Sequence, residues 1–438
     1  MPVIPLHIGY LTHYFPPEPG APAGRAADLS ALWAAAGHRV SVLTTLPNHP
    51  RDQVYPEYRS HRALTEFTDG MTVERLWLYA SARRTPLATA LCHASFALHA
   101  AVTARWRRGP RPNVWIASSP PLFTGWAGAH IGAHHRVPVI LEVRDLWPDY
   151  FEQMGVLRNR LALRWLHRLE RRLYARAAAV VTVAEGSRTW LIERKGVPPA
   201  KVHCIPNGID PDRFAPSPDR AATVRRRLSA DGRFLVAYIG NHGLGQGLET
   251  VVDAAQLLAA DPQIHFLFVG EGAEKARVAA RAERLGLANV TFLPACSRDE
   301  VPAYYQAADL CLVPLADIPA FRNTIPSKVF EILGSARPVI GALRGEGAQV
   351  IARSGAGVVV PPADPTALAA AVRRMQTLTP AERHEMGERG RCFVTEHYDR
   401  RRLAQRYLGV IRAVVQSPRS PSPARSETQP RDPGDSAQ

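Results

Sequence analysis

Short apolar runs alternate with longer amphipathic stretches along the first half of the chain. The apolar runs lie at 6–11, 40–44, 114–117, 137–143 and 179–183. Stretches with helical periodicity lie between them, at 25–36, 85–108, 122–135 and 158–176. Such alternation predicts a parallel sheet that is covered by helices on both faces.

The alternation starts again in the second half of the chain. Strands are predicted at 234–239, 265–269, 290–292, 310–313, 338–340 and 357–360, and helices at 248–260, 274–285, 301–307, 327–335 and 366–375. Proline, glycine and aspartate cluster at 207–218 and mark the boundary between the halves. The pattern predicts an α/β protein with two Rossmann-like, doubly wound domains that face a cleft.

The chain carries a formal net charge of +15, most of it from arginine. Such a charge suits nucleic acid, an anionic lipid surface, or nucleotide and diphosphate ligands. Arginines cluster at 105–111 and 158–176, both in the first half, and no zinc finger, RNP-like strand or basic zipper is present. We therefore expect no nucleic-acid partner.

Residues 85–104 carry no formal charge. Leu87, Leu91, Leu98 and Val102 form one stripe, but the stretch also holds two histidines, a serine and several threonines. It is either a core helix or a helix on an anionic membrane surface, and a membrane span is the least favoured alternative.

The five cysteines form no C-x-x-C pair and are expected to be buried thiols in a reducing compartment. The apolar run at 3–11 is short and strand-like, unlike a signal peptide. Both observations predict a cytoplasmic protein.

A helix start, a carboxylate and a strand follow one another at 325–341. Pro326 and Ser327 suit the first turn of a helix, whose unpaired N–H groups attract phosphate, and Lys328 adds positive charge. Glu331 lies on the same helical face and could accept the hydroxyls of a ribose. The alternative is an ordinary capped helix packed in the sheet.

Ligands of parallel α/β sheets bind beyond the carboxyl ends of the strands, which selects the loops after 234–239 and 265–269. The glycine-rich loop at 240–247 could bring its backbone amides close to a diphosphate, or simply form a tight strand–helix turn. The candidate ligand-binding residues of these loops are Gly240, Asn241, Gly243, Gln246, Gly270 and Glu271.

Several segments together resemble the retaining glycosyltransferases of family 4, which have the two-domain GT-B fold. They lie at 14–20, 37–40, 143–149, 205–210, 240–249, 268–272, 325–341 with 345–346, and 359–365. The segments at 144–148 and 243–248 look most like the branch that builds O-antigen, capsule and colanic-acid type polysaccharides.

The resemblance implies that a sugar moves with retention from a nucleotide-diphosphate donor, most readily a UDP-sugar, to a polyprenyl-diphosphate-linked or other glycan acceptor. It also implies that the protein acts as a peripheral membrane protein on the anionic inner face of the membrane. In such a transfer the leaving phosphate can take the acceptor's proton, so no metal or other cofactor is expected. The Asp-x-Asp triplet at 210–212 lies in the interdomain turn and is not expected to bind a metal.

The resemblance also suggests roles in the second domain. Glu331 matches the family's ribose-binding glutamate, while the first glutamate of the usual pair falls on Asn323. Asn323 and Glu346 are assigned to substrate binding. Because loop 240–247 lacks the family's arginine and lysine, the cationic role passes to Lys328, with Arg322 or Arg344 as possible helpers.

In the first domain the family's active-site histidine aligns with Arg144, which Asp145 follows. Arg144 could stabilise the leaving diphosphate or an acceptor phosphate, and Asp145 could orient it or act as a base. A loop-anchoring salt bridge is the alternative. His13, Glu18 and Gly20 lie in the loop where the family recognises its acceptor.

These inferences divide the chain into an acceptor domain at 1–206, a donor domain at 207–395, a helix at 396–416 that crosses back to the first domain, and a disordered tail at 417–438. Two other functions fit the same fold. One is a nucleotide-sugar 2-epimerase, and the other is a non-catalytic nucleotide-sugar-binding protein.

Overall fold

The computed structural model describes residues 4–50, 52–83, 85–106, 110–230 and 232–417. The predicted tail lies outside the described residues from 418 onward, as do Arg107 and Arg108 of the first arginine cluster.

Eight strands form the sheet of the first domain: β1 (His7–Leu11), β2 (Arg39–Thr45), β3 (Ala63–Thr68), β4 (Met71–Leu76), β5 (Val114–Ser119), β6 (Val139–Val143), β7 (Ala179–Thr182) and β8 (Val202–Cys204). Their order is β3-β4-β2-β1-β5-β6-β7-β8. Every neighbouring pair is parallel except β3 and β4. The helices of the domain are α1 (Ala21–Ala35), α2 (Pro86–Trp106), α3 (Leu122–His135), α4 (Asp149–Gln153), α5 (Arg160–Arg176) and α6 (Glu185–Glu193).

Six parallel strands form the sheet of the second domain: β9 (Phe234–Ile239), β10 (Ile264–Val269), β11 (Val290–Leu293), β12 (Leu310–Pro314), β13 (Val339–Ala342) and β14 (Gly357–Val360). Their order is β11-β10-β9-β12-β13-β14. The helices are α7 (Pro218–Arg227), α8 (Leu248–Leu257), α9 (Lys275–Arg284), α10 (Val301–Ala307), α11 (Ser327–Gly334), α12 (Glu346–Ser354), α13 (Pro365–Thr377) and α14 (Pro380–Tyr398). The predicted fold class, two Rossmann-like α/β domains, is confirmed.

The β3–β4 hairpin at the sheet edge is absent from the sequence prediction. Its outer strand is largely exposed and mixes polar with apolar residues, so it has no apolar run. The available signal was Asp69-Gly70, whose positive φ angles of 46° and 74° form the tight turn.

The last described helix, α15 (Arg400–Gln416), packs against the first domain. It begins at Arg400, where the Asp399 side chain caps it by accepting the N–H of Arg401. The indole of Trp33 donates to the carbonyl of Ala404 at 3.1 Å. Leu403, Tyr407 and Ile411 complete the same core as β1 and α1, so this helix ties the chain end to the first domain.

A buried ion pair joins the first sheet to the interdomain linker. Glu142 on β6 accepts from Arg25 Nε at 2.9 Å and from the Tyr10 hydroxyl at 2.7 Å. Burial opposes ionisation of Glu142, but Arg25 and these hydrogen bonds hold its pKa below the ordinary value. Arg25 also donates to the carbonyls of Ile205 and Pro206, at the start of the linker. The pair therefore fixes where the linker leaves the sheet.

Replacing Ile411 by Ala leaves a cavity under the crossing helix. We expect the Ile411→Ala variant to lose about 2–5 kcal/mol of unfolding free energy, because Ile411 is fully buried. Gln405→Ala, at an exposed position on the same helix, should change it by less than about 0.5 kcal/mol. Urea unfolding followed by tryptophan fluorescence measures both, and equal losses would show that the helix does not pack as described.

Replacing Glu142 by Gln removes the countercharge of a buried arginine. The single variant Glu142→Gln should lose about 3–5 kcal/mol of unfolding free energy. The double variant Arg25→Met/Glu142→Leu should lose less unfolding free energy than the sum of the losses of Arg25→Met and Glu142→Leu, since no uncompensated charge remains in the double variant. Additive losses in this double-mutant cycle would contradict the ion pair.

Candidate active site

Lys328 lies in the first turn of α11, facing the loop that follows β9. Its ammonium lies 3.3 Å from Gln246 Oε1 and 3.8 Å from the ring centroid of Tyr238. Removal from water lowers the pKa of Lys328 to about 7, and Glu331 opposes this shift. The amine is thus poised to gain a proton when an anion arrives.

The loops after β9 and β10 pack closely against each other. Gly240 has φ +134°, and a Cβ there would lie 3.3 Å from the Lys328 ammonium. A Cβ on Gly270, φ +149°, would lie 1.9 Å from the carbonyl oxygen of Gly240. Glycine is therefore required at both positions, and the loops present backbone rather than side chains beside Lys328.

The polar side chains of these loops are partly engaged with one another. The Tyr238 hydroxyl donates to the backbone carbonyl of Asn241 at 2.5 Å, and Gln246 Oε1 lies 3.3 Å from the same hydroxyl. Gln246 thus presents its carbonyl oxygen to Lys328, and its amide nitrogen makes no hydrogen bond within the part of the chain that the structure describes. Glu271 pairs with Lys275 at 2.7 Å, so its charge is neutralised within the second domain.

Ser327 and Glu331 flank the start of α11. The Ser327 hydroxyl accepts from the side-chain amide of Asn207 at 2.8 Å, which links α11 to the interdomain linker. Glu331 Oε2 accepts from the Tyr305 hydroxyl at 3.2 Å. No hydrogen bond to Glu331 Oε1 is present among the described residues, so this oxygen is the one available to ribose hydroxyls.

Asn323 and Glu346, predicted to bind substrate, lie where the two domains meet. Glu346 accepts the N–H groups of Glu185 and Gly186 at 3.0 and 2.7 Å, and so caps α6 of the first domain. The carbonyl of Asn323 accepts from the Ser187 hydroxyl at 2.7 Å. Both residues join the domains here, and their contact with a sugar stays a prediction.

Arg144 follows β6 and is held by the first domain. Its Nε donates to the Ser118 hydroxyl at 3.0 Å and its Nη2 to the carbonyl of Pro120 at 2.6 Å. Ser118 in turn donates to Glu142 at 3.1 Å, so Arg144 is oriented through the buried ion pair. Burial raises the pKa of Asp145, and Arg144 opposes that rise.

Glu142 and its network are absent from the sequence prediction. A glutamate inside the apolar run at 139–143 was the available signal, because a charge at such a position is buried and has to be paired.

The loop that carries His13, Glu18 and Gly20 is held by buried groups. The Glu18 carboxylate accepts the N–H groups of Asn48 and His49 at 2.8 and 2.9 Å, and burial raises its pKa to about 7. His13 is buried against His93, with ring centroids 4.8 Å apart, and burial lowers its pKa. Gly20, φ +108°, precedes α1. Glu18 and His13 thus shape the loop, and their contact with an acceptor stays a prediction.

The two domains also meet at α4, which sequence reasoning missed. The side chain of Gln153 accepts the N–H of Ala320 at 2.7 Å, and the Tyr150 ring lies 5.1 Å from that of Phe321. The short α4 carried no periodic signal in the sequence. These contacts bring the loops after β6 and β12 together across the cleft.

Two known protein families match this chain, one in each of its two domains. The glycosyl transferase 4-like domain matches residues 20–208, and the glycosyl transferases group 1 domain matches residues 219–393. The chain is 30% identical over 305 residues to a protein of Escherichia coli K12 named for colanic acid biosynthesis, the glycosyl transferase WcaI, covering 68% of this chain and 74% of that protein.

Two further proteins show the same likeness. WbjE of Pseudomonas aeruginosa, named as a glycosyltransferase, is 24% identical over 279 residues, or 63% of this chain and 68% of that one. The crystal structure of HepE from Anabaena, with UDP and glucose, covers 93% of this chain and 100% of that chain at 17% identity with a TM-score of 0.71. The chain belongs to the family 4 glycosyltransferases of the GT-B fold.

Proposed function

We propose that the protein transfers a sugar, with retention, from a nucleotide-diphosphate donor to a lipid-linked or other glycan acceptor in cell-envelope polysaccharide biosynthesis. The observation that carries the proposal is the desolvated Lys328 ammonium beside the glycine loop and the start of α11. A leaving diphosphate needs positive charge, and these groups supply it before the reaction begins. HepE of similar fold is solved with UDP, which supports a UDP-sugar as donor.

The remaining roles follow from the same geometry. Glu331 Oε1 would accept ribose hydroxyls, and the amides of loop 240–247 would receive the diphosphate. Arg144, held by Ser118 and Pro120, would face phosphate from the first domain. The leaving phosphate oxygen would take the proton of the acceptor hydroxyl as the new glycosidic bond forms. Positioning and charge stabilisation then carry the reaction.

We also propose that the protein binds to the inner face of the membrane as a peripheral protein. Among the described residues, one helix, Leu87–Trp106, passes the length and hydropathy test for a membrane span. It packs into the first domain through Phe96, Ala97 and Ala100 and leaves an apolar flank exposed. That flank comprises Leu87, Leu91, Leu98, Val102 and Trp106.

The neighbouring helices extend this surface. α2 packs on α3, and α3 packs on α5, in one layer. On α5, Leu161 and Trp165 are exposed, and the Trp165 ring lies 6.1 Å from that of Phe123 on α3. Exposed arginines lie close in sequence to these side chains, at positions 105, 111, 158, 160 and 172. Apolar groups edged by cations suit an anionic lipid surface.

Donor binding should take up a proton. A bound diphosphate stabilises the charged amine and raises the pKa of Lys328 above its free value of about 7. UDP affinity should therefore fall about tenfold per pH unit as the pH rises above 7. Isothermal titration in buffers of different ionisation enthalpy measures both the affinity and the proton uptake.

The matched variants are Lys328→Met and Lys201→Met. Lys328→Met should lose about 10–100-fold in UDP affinity together with the proton uptake, while Lys201→Met, in the first domain, should keep both. UDP binding that is unaffected by Lys328→Met would refute the role of this amine.

Membrane binding should depend on the exposed flank of α2. We expect the protein to sediment with vesicles containing phosphatidylglycerol, and less so as the salt concentration rises. Leu98→Glu, at a side chain 58% exposed, should weaken this binding about tenfold or more. Leu257→Glu, 52% exposed on the second domain, is the matched control. Equal binding by both variants would argue against this surface.

A further inference from the structure

A cavity of about 470 Å³ lies in the first domain between α5 and the end of α6. Its lining comprises Arg164, His167, Arg168, Glu170, Arg171, Arg194 and Lys195. None of these residues belongs to the predicted donor or acceptor loops. The cavity is therefore a feature that the proposed function leaves unexplained.

The rim of the cavity carries positive charge that no carboxylate balances. Arg164, Arg168 and Arg171 lie at i, i+4 and i+7, so they share one flank of α5. None of the three has an ion pair within the described part of the chain. Arg194 approaches them from the other helix, where it stacks on Trp190. All four arginines are exposed, so water screens their mutual repulsion in part, and an anion that enters the cavity would lower the rest.

Lys195, which also lines the cavity, is paired with two carboxylates. Lys195 Nζ lies 2.5 Å from Asp149 Oδ2, 2.9 Å from Glu170 Oε2 and 3.4 Å from His167 Nδ1. The ligand atoms of Asp149, His167 and Glu170 lie within 4.8 Å of one another, a spacing that would suit a metal ion. The ammonium of Lys195 balances one of the two carboxylates, and His167, whose pKa the hydrogen bond to Glu170 raises, supplies the second positive charge when it is protonated. Further binding at the rim is therefore expected from an anion.

We propose that this cavity is a second anion site, which binds a phosphomonoester or diphosphate group between the arginines of α5 and Arg194. The planar guanidinium groups can each donate two parallel hydrogen bonds to phosphate oxygens. The volume accommodates a diphosphate. The group can be free in solution or belong to a lipid headgroup, and both sources share this chemistry.

The site also borders the contact between the domains. Asp149, which Lys195 binds, is the first residue of α4, and Tyr150 and Gln153 of the same helix contact the second domain. A phosphate group held at the rim would therefore be separated from the cleft by the ion pair between Lys195 and Asp149. The inference does not rest on the donor site, since it uses none of its residues.

The experiment titrates inorganic pyrophosphate into the full-length protein. Because the proposed donor site also receives a diphosphate, the titration is done in the Lys328→Met background. Binding should persist there and fall at least about tenfold on adding Arg164→Gln, Arg168→Gln and Arg171→Gln. The control set, Arg284→Gln with Arg373→Gln and Arg374→Gln, removes the same charge from exposed positions of the second domain and should keep the binding.

Two further measurements separate the outcomes. With Lys328 intact, the α5 triple variant should bind UDP within about twofold of wild type, so failure of either site is seen independently. It should also melt at a higher temperature than wild type in low-salt, phosphate-free buffer, since the repulsion is relieved. If the triple variant does not fold, Arg168→Gln alone should still weaken pyrophosphate binding.

Vesicles then distinguish the source of the phosphate. Because these arginines lie on the same helix as Leu161 and Trp165, their loss weakens attraction to any anionic vesicle. A larger loss of binding to phosphatidic acid vesicles than to phosphatidylglycerol vesicles of equal charge would therefore identify a headgroup with a phosphomonoester. Loss of pyrophosphate binding alone would identify a soluble ligand. Unchanged pyrophosphate binding in the α5 variants, or an equal loss in the control set, would overturn the proposal.

Discussion

The buried pair of Arg25 and Glu142 is the constraint on which the cleft depends. Two charges removed from water are tolerated only when each is fully hydrogen-bonded. Here Glu142 is satisfied by Arg25, Tyr10 and Ser118, and Arg25 by Glu142 and two linker carbonyls. Because Ser118 also accepts from Arg144, the same network sets both the path of the linker and the orientation of a predicted catalytic side chain.

Lys328 of the second domain, by contrast, is a desolvated cation without a full set of partners. Lys328 contacts a carbonyl oxygen and an aromatic face, which together stabilise an ammonium less than water does. The pKa of Lys328 is lowered because the ammonium is stabilised less than it would be in water. A loop without arginine or lysine can serve a diphosphate if one desolvated amine and the start of α11 provide the charge.

The excess positive charge of the chain is distributed by helical periodicity. On α5, Leu161 and Trp165 face outward, while the arginines at 164, 168 and 171 line the cavity beside α6. Leu161 and Arg168 are seven positions apart, so the apolar surface and the basic cavity are neighbours on this amphipathic helix. Composition alone reports only the sum of these charges.

The sequence by itself determined the two α/β domains, the loops after the predicted strands and the helix start that holds Ser327, Lys328 and Glu331. These features are local, because the alternation of apolar and amphipathic segments and the turn-forming residues between them can be recognised within short stretches of sequence. Only the tertiary structure decided that Glu346 caps α6, that α4 meets the second domain and that Glu142 pairs with a residue 117 positions away. Such contacts depend on how distant segments are brought together, and a single sequence carries no local signal of its partner across that distance.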